Sequence, residues 1–363
     1  MRIMVEIQHP AHVHHFKNII WNLENKGHHV KVATTDKDVT ISLLENYGFD
    51  YDLLGENAGN ISLAYKIKSL LKYELNMIKI CRRFKPSVFM ARGSPVSAHV
   101  SKIFNKPYII SSDSEPAAGF GKLFSFPFAD VVCIPSSYNK DLKNSKVIKF
   151  DAYKETAYLH PNYFKPDPSI LKELRANEGE YIVIRFVNMG AYHDVGKHGI
   201  RNKIDFVNEL KQHVEKIFIS SEKQLPSELM KYKLPTETTE IHNVLYYAKM
   251  LISDSQTMTT ESALLGTPAI RCNSFVGEND MGNFIELENK YGLIFNYKDP
   301  DKALNKAIEL LQNPDLNTQW KLKRESMLND KIDVTAFLTW LVEKYPESFE
   351  QIKQNPDIQY QFK

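Results

Sequence analysis

Two hydrophobic patterns alternate along this chain. Short, nearly continuous apolar runs suit strands buried in a parallel sheet, and longer stretches with apolar residues every three or four positions suit amphipathic helices. The first half predicts strands at Arg2–Ile7, Val30–Thr34, Val88–Ala91, Tyr108–Ser111, Val131–Ile134 and Val147–Phe150. Between them lie helices at Val13–Lys26, closed by Gly27, near Val39–Tyr47, closed by Gly48, and at Leu63–Phe84, left at Pro86. From about Asp151 to Pro168 the chain is rich in Pro, Tyr and His, lacks a period, and reads as a linker. A second series follows, with strands at Tyr181–Phe186, Lys216–Ile219, Met250–Ser253, Ala269–Arg271 and Gly292–Phe295. Its helices are expected at Ile204–His213, Thr257–Leu265 and Lys302–Leu311. A last helix, Val334–Lys344, is expected to cross back onto the first half.

Such alternation predicts an α/β protein with two doubly wound parallel sheets. The expected domains are residues 1–155 and 166–330, with C-terminal helices over 331–363. Ligands of such folds bind at the carboxyl ends of the strands, so a cleft between the two halves is expected to be the site.

Composition narrows the class only slightly. A length of 363 residues suits two domains, and 43% hydrophobic with 25% charged residues is ordinary for a globular chain. The formal net charge of +2 argues against nucleic acid as a partner. Cys81, Cys133 and Cys272 form no CxxC pair, and MRIMVEIQHP enters a strand with no long apolar run before it. Reduced thiols in a cytoplasmic protein are therefore expected. No apolar run reaches the ~18 residues of a spanning helix.

The most informative segment is MLISDSQTMTTESALLGTPAIR, from Met250 to Arg271. A strand turns through Ser253, Asp254, Ser255 and Gln256 and opens a helix near Thr257. That turn aims unpaired backbone N–H groups and the positive end of a helix dipole at one point, which suits phosphate oxygens. The Ser253, Ser255 and Thr257 hydroxyls add donors, and the Glu261 carboxylate suits a ribose diol. The plainer alternative is that Asp254 or Ser255 only caps a core helix. Gly266 ends the helix and Pro268 prevents its resumption.

After the first strand comes QHPAHVHHFKNII, with His9, His12, His14 and His15 in seven residues. Pairs three apart invite a metal reading, but no Cys or acid completes a familiar zinc spacing, so no metal is expected. An imidazole near its ordinary pKa can take a proton from a hydroxyl at neutral pH. Most of these histidines are expected to be structural. Arg92-Gly93-Ser94 also follows a strand and can present backbone N–H groups to the same cleft.

In order and spacing these segments resemble proteins of GT-B fold, and the chain is similar to a family of predicted glycosyltransferases related to MurG and the UDP-GlcNAc 2-epimerases. The resemblance covers roughly residues 1–310 and rests on three segments: the strand, polar turn, Glu-bearing helix and Gly-x-Pro of 250–268, the His-bearing first loop, and SSDSEPAAGFGKLFSFPFADVVCIP. The turn SDSQT is poorer in glycine than is usual there. The resemblance implies His12 as a base or sugar contact, with His14, His15, Arg92 and Ser94 on the acceptor side. It makes Asp113 and Glu115 candidates to bind or deprotonate an acceptor, unless Asp113 only caps the next helix. The loop VNMGAYHDVGKHGIRNK stands where relatives hold a donor phosphate, which points to Arg185, Gly190, His193 and Lys197. A solvated connector would have a similar composition. Asn243 and Val244 would read the base, while Asn279 and Asn283 would reach sugar hydroxyls.

The function implied is transfer of a sugar from a nucleotide-sugar, by analogy a UDP-sugar, to a hydroxyl acceptor in cell-surface polysaccharide or glycolipid synthesis. No cofactor is expected. A 2-epimerase is the first alternative, although QHPAHVHHF departs from the GTRPE-like loop of those enzymes; a non-catalytic sugar-nucleotide binder is the second. Lys66, Lys68, Lys72, Lys79, Arg82, Arg83 and Lys85 crowd one helix with Glu74 the lone acid. That helix is either a solvated face or a peripheral contact with anionic lipid on the inner side of a membrane.

Overall fold

The computed structural model describes every residue except 38, 57–62, 114, 116–122, 141, 143–145, 188–198 and 279. It divides into two compact units, one of Met1–Tyr158 with Lys331–Lys363 and one of Leu159–Asp330.

The first unit is built on a seven-stranded parallel sheet. Its strands are β1 (Arg2–Ile7), β2 (His29–Asp36), β3 (Tyr51–Glu56), β4 (Val88–Ala91), β5 (Tyr108–Ser111), β6 (Val131–Pro135) and β7 (Val147–Phe150), in the order β3-β2-β1-β4-β5-β6-β7. Strands β4, β5 and β6 are buried along their whole length, as expected of a sheet covered on both faces. The order reverses between β1 and β4, which makes their carboxyl ends the unit's switch point. Helix Pro10–Asn25 starts there: Pro10 stands in its first turn and the His9 ring accepts the Ala11 N–H at 3.2 Å. Helix Pro95–Ile103 starts beside it, capped by Ser94.

The chain's last segment belongs to this first unit. Helix Val334–Glu343 buries Phe337, Leu338, Leu341 and Val342 and packs on helix Pro10–Asn25. Lys26 meets Glu343 at 2.7 Å, and Ala157 O accepts from both Asn18 and Thr335. Much of the stretch read as a linker is core: Tyr153, Ala157, Tyr158 and Leu159 are buried, with a short helix over Thr156–Leu159. Aromatic side chains hold this aperiodic segment in place.

The second unit carries a five-stranded parallel sheet. Its strands are β8 (Tyr181–Phe186), β9 (Lys216–Ser221), β10 (Met250–Ser253), β11 (Ala269–Cys272) and β12 (Ile294–Tyr297), in the order β12-β11-β10-β8-β9. Here the order reverses between β8 and β10, whose ends are level because Arg185 pairs with Ser253. Helix Gln256–Leu265 follows β10, with all of Met258–Leu265 buried. It ends at Gly266 (φ +81°), where a Cβ would stand 2.8 Å from Arg324 Cδ, so both conformation and space call for glycine.

The strand expected at Gly292–Phe295 is shifted to Ile294–Tyr297, because Gly292 (φ +61°) belongs to the turn before it. Described elements with no counterpart in the sequence reading include β3 and helices Pro95–Ile103, Ser169–Leu174, Gly282–Asn289 and Leu316–Asp330.

Candidate functional site

At the switch point of the second unit, β10 ends in Ser253 and the chain turns into helix Gln256–Leu265. The Ser253 hydroxyl accepts the Ser255 N–H at 2.8 Å, and the Ser255 hydroxyl accepts the Met258 N–H at 3.3 Å. Ser255 is thus the cap that the plainer reading allowed, in extended backbone (φ −78°, ψ 135°). The cap leaves the first N–H groups over: among the described residues, those of Gln256 and Thr257 have no protein acceptor. Both residues are partly exposed, so the helix offers two donors and its positive end to an anion.

Asp254 does not cap the helix. Its carboxylate, 3% exposed, accepts the Val187 N–H at 2.7 Å, tying the end of β10 to the end of β8. Gly199 packs so closely on it that a Cβ would come within 2.1 Å of Oδ2. Burial is the largest influence on this carboxyl and raises its pKa to about 6, against the opposing Val187 hydrogen bond and the positive charges of Lys203 and Arg185. Asn273, also buried, donates to Asp254 O at 3.0 Å.

Glu261 lies deeper in the helix and is buried with its Oε1 3.1 Å from His242 Nε2. Phe164 lies edge-on to the His242 ring. Asn243, next in the chain, accepts the Asp167 N–H at 2.9 Å, and Val244 O accepts the Tyr181 hydroxyl at 2.6 Å. Asn283 donates to Thr260 Oγ1 at 3.3 Å, which brings helix Gly282–Asn289 against helix Gln256–Leu265. Arg185 points along β9, to Ser220 at 2.8 Å and Glu222 at 2.7 Å. Four of the sequence-derived donor residues, Gly190, His193, Lys197 and Asn279, lie outside the described residues.

The first unit's switch point is built of side chains. Arg92, one residue past β4, pairs with Asp113, past β5; Lys154 binds the other Asp113 oxygen at 2.9 Å and Glu155 at 3.1 Å. These two cations and two anions, all largely buried, neutralise one another. Burial lowers the Arg92 pKa to about 10, with Glu155 and Tyr158 opposing. Beneath them Glu6, an acid inside an apolar strand, accepts from Gln8 Nε2 at 2.6 Å, Ser94 Oγ at 2.7 Å and Ser97 N at 3.0 Å. Burial raises its pKa, and those hydrogen bonds hold it down. It anchors the start of helix Pro95–Ile103, where the dipole favours an anion.

His12 is half-buried, and its Nδ1 accepts the Gln8 N–H at a long 3.4 Å. Burial first, then the positive charge of Arg92, depresses its pKa well below 6.5, so the ring is neutral at pH 7. His15 is fully buried with Nε2 3.0 Å from Ser111 Oγ, and is depressed for the same two reasons. His14 packs on Tyr158, with ring centroids 5.4 Å apart and the rings tilted, and meets the Tyr47 hydroxyl. Glu115 is buried, with Oε1 accepting the Asn139 N–H at 3.0 Å.

The fold thus brings His12, His15, Arg92, Ser94 and Asp113 to one switch point and Ser253, Ser255, Gln256, Thr257 and Arg185 to the other. The sequence offered Asp254 only as a possible helix cap, and Glu6, His242, Lys154 and Glu155 not at all. A lone acid in IMVEI and the acid directly after MLIS were the available signals for Glu6 and Asp254.

These two sheets, with their switch points, place the molecule among proteins of GT-B fold. A UDP-GlcNAc 2-epimerase from Neisseria meningitidis bound to UDP-GlcNAc superposes with a TM-score of 0.63 at 13% identity, over 91% of this chain and 100% of its own. The spinosyn forosaminyltransferase SpnP gives 0.64 at 14% identity, over 95% and 100%. The glycosyltransferase SsfS6 of Streptomyces sp. SF2575, complexed with thymidine diphosphate, gives 0.59 at 13% identity, over 95% and 99%. By sequence, the chain belongs to the family described as "Protein of unknown function (DUF354)", which residues 1–335 match. Uncharacterized protein MJ0665 of Methanocaldococcus jannaschii is 26% identical over 282 residues, 74% of this chain and 81% of that protein.

Proposed function

We propose that this protein is a glycosyltransferase that moves a hexosyl or N-acetylhexosaminyl group from a nucleoside diphosphate sugar, uridine diphosphate in the first instance, to a hydroxyl acceptor. The observation that carries the reading is the start of helix Gln256–Leu265, where two free N–H groups stand at the switch point of the second sheet. A diphosphate seated there is stabilised as charge builds up on it, without a metal ion. That structural neighbours hold UDP-GlcNAc and thymidine diphosphate supports a nucleotide ligand.

In the reaction, the acceptor oxygen bonds to the anomeric carbon, the bond from that carbon to the diphosphate breaks, and the nucleoside diphosphate leaves. The acceptor proton goes to His12, neutral at pH 7 and able to accept at Nδ1 once the hydroxyl replaces the long Gln8 contact. Asp113, with each oxygen already on a cation, holds Arg92 and Lys154 in place. Glu261 and His242 form the wall against which the ribose is read.

The test is release of free nucleotide from UDP-GlcNAc and dTDP-sugars in the presence of a panel of sugar and lipid-linked hydroxyl acceptors. Acceptor-dependent release that falls by about 10²–10⁴ in His12→Asn supports the assignment. The epimerase likeness favours a second reading, in which C2 of bound UDP-GlcNAc is inverted with no acceptor present. Such isomerisation would replace the transfer reading.

A further inference from the structure

Helix Leu63–Phe84 is apolar on two sides, and the fold uses only one. Its inner side buries Met77, Ile80 and Cys81 against the first sheet and helix Pro95–Ile103. Its outer side carries Ile67, Leu71 and Leu75, four residues apart and therefore in one row, with exposures of 52%, 55% and 60%. Lys68, Lys72 and Lys79 flank this row on the same outward face, with Arg82 near its end, all exposed. None of these four cations has an ion-pair partner among the described residues. The helix's one acid, Glu74, is turned to His99.

We infer that this outer face docks on the surface of an anionic lipid bilayer, with Ile67, Leu71 and Leu75 entering the headgroup boundary and the lysines meeting lipid phosphates. Neighbouring apolar and cationic rows on one helix are what an interfacial helix needs. A second copy fits less well, because a two-fold contact would set the same cations against themselves. No described helix is long and apolar enough to cross a membrane, so the contact is one of lying on the surface. The inference does not rest on the proposed transfer activity.

The test is cosedimentation of the full chain with vesicles of phosphatidylglycerol and phosphatidylcholine, or of phosphatidylcholine alone, at low and high salt. Two variants at exposed positions accompany it, Lys68→Gln/Lys72→Gln/Lys79→Gln and Leu71→Gln/Leu75→Gln, with circular dichroism to verify folding. We expect binding to the anionic vesicles only, weakened by salt. The triple lysine variant should bind about a hundredfold more weakly, from a factor of about five per cation. The leucine variant should lose binding even at low salt. The inference is overturned if the natural chain stays in the supernatant with anionic vesicles at low salt, or if both variants bind as it does. It is equally overturned if light scattering shows a dimer that the leucine variant splits, since the face then belongs to a second copy.

Discussion

Past the ends of β1 and β4 the first unit gathers charged side chains that satisfy one another. Past the ends of β8 and β10 the second unit offers main-chain N–H groups and hydroxyls beside one buried carboxylate. The topology of the two places is alike, and their electrostatics are opposite. Arg92 and Lys154 are already occupied by Asp113 and Glu155, which suits an uncharged ligand such as an acceptor hydroxyl. The start of helix Gln256–Leu265 has donors without acceptors, which suits an anion. In a doubly wound fold, the switch point fixes where a ligand sits, and the local residues decide its charge.

Removing a cation from each place should separate the two by stability. Arg92→Ala leaves half-buried Asp113 and buried Glu155 sharing Lys154 and should cost about 3 kcal/mol of stability in urea unfolding. Arg185→Ala breaks contacts with Ser220 and the exposed Glu222 and removes one minor positive charge near Asp254, so its cost should stay at about 1 kcal/mol. Equal costs would remove the distinction between a neutralised network and a backbone site.

Acidity should separate the two places by sign. Asp254 has a folded pKa of about 6 against 3.8 for the free group, so its contribution is full below pH 3.8 and is lost as pH rises through about 6. Relative to Asp254→Asn, which keeps an acceptor for Val187, the natural protein should lose up to about 3 kcal/mol between pH 4 and pH 7. His15 is depressed below 6.5, so its contribution is full above that pH and is lost on acidification. Denaturant unfolding of His15→Gln beside the natural chain should therefore show the natural chain weakening as pH falls below 6.5. Parallel pH trends in the two pairs would contradict the assignment.

A smaller effect sharpens the cap. Ser255→Ala should cost about 1 kcal/mol by leaving the Met258 N–H without its acceptor, measured as a lowered midpoint in urea.

Most strands were legible because a strand buried on both faces is a run of apolar residues, as in Tyr181–Phe186 and Arg2–Ile7. Strand β3 was not, because at the sheet edge Asp52 and Gly55 break the run and Leu53 faces solvent. Helix Leu316–Asp330 buries only Leu316, Trp320 and Met327, too few to mark a period. Helix Pro95–Ile103 does carry a local signal, a serine cap directly before a proline. At the site, the Ser255 cap and its helix could be read locally from SDSQT. The Arg92–Asp113–Lys154–Glu155 network could not, since it joins segments far apart in the chain that only strand order brings together, and the His242–Glu261 pair could not, since it depends on how the helices before and after β10 pack.

If the N–H groups of Gln256 and Thr257 receive a nucleotide diphosphate, Gln256→Pro should weaken that ligand's binding. Proline suits the first turn of a helix, and Ser255 before it is already extended, so the unliganded variant should melt with the natural protein. The substitution removes one N–H and little else. Thermal shift with UDP-GlcNAc and dTDP-sugars should show the natural chain stabilised by RT ln(1 + [L]/Kd), about 2.7 kcal/mol at a hundredfold excess over Kd. In Gln256→Pro, affinity should be at least about tenfold weaker, from the loss of one charge-assisted hydrogen bond. Equal shifts in both proteins, or no shift in the natural chain with any sugar nucleotide, would contradict a diphosphate at these N–H groups.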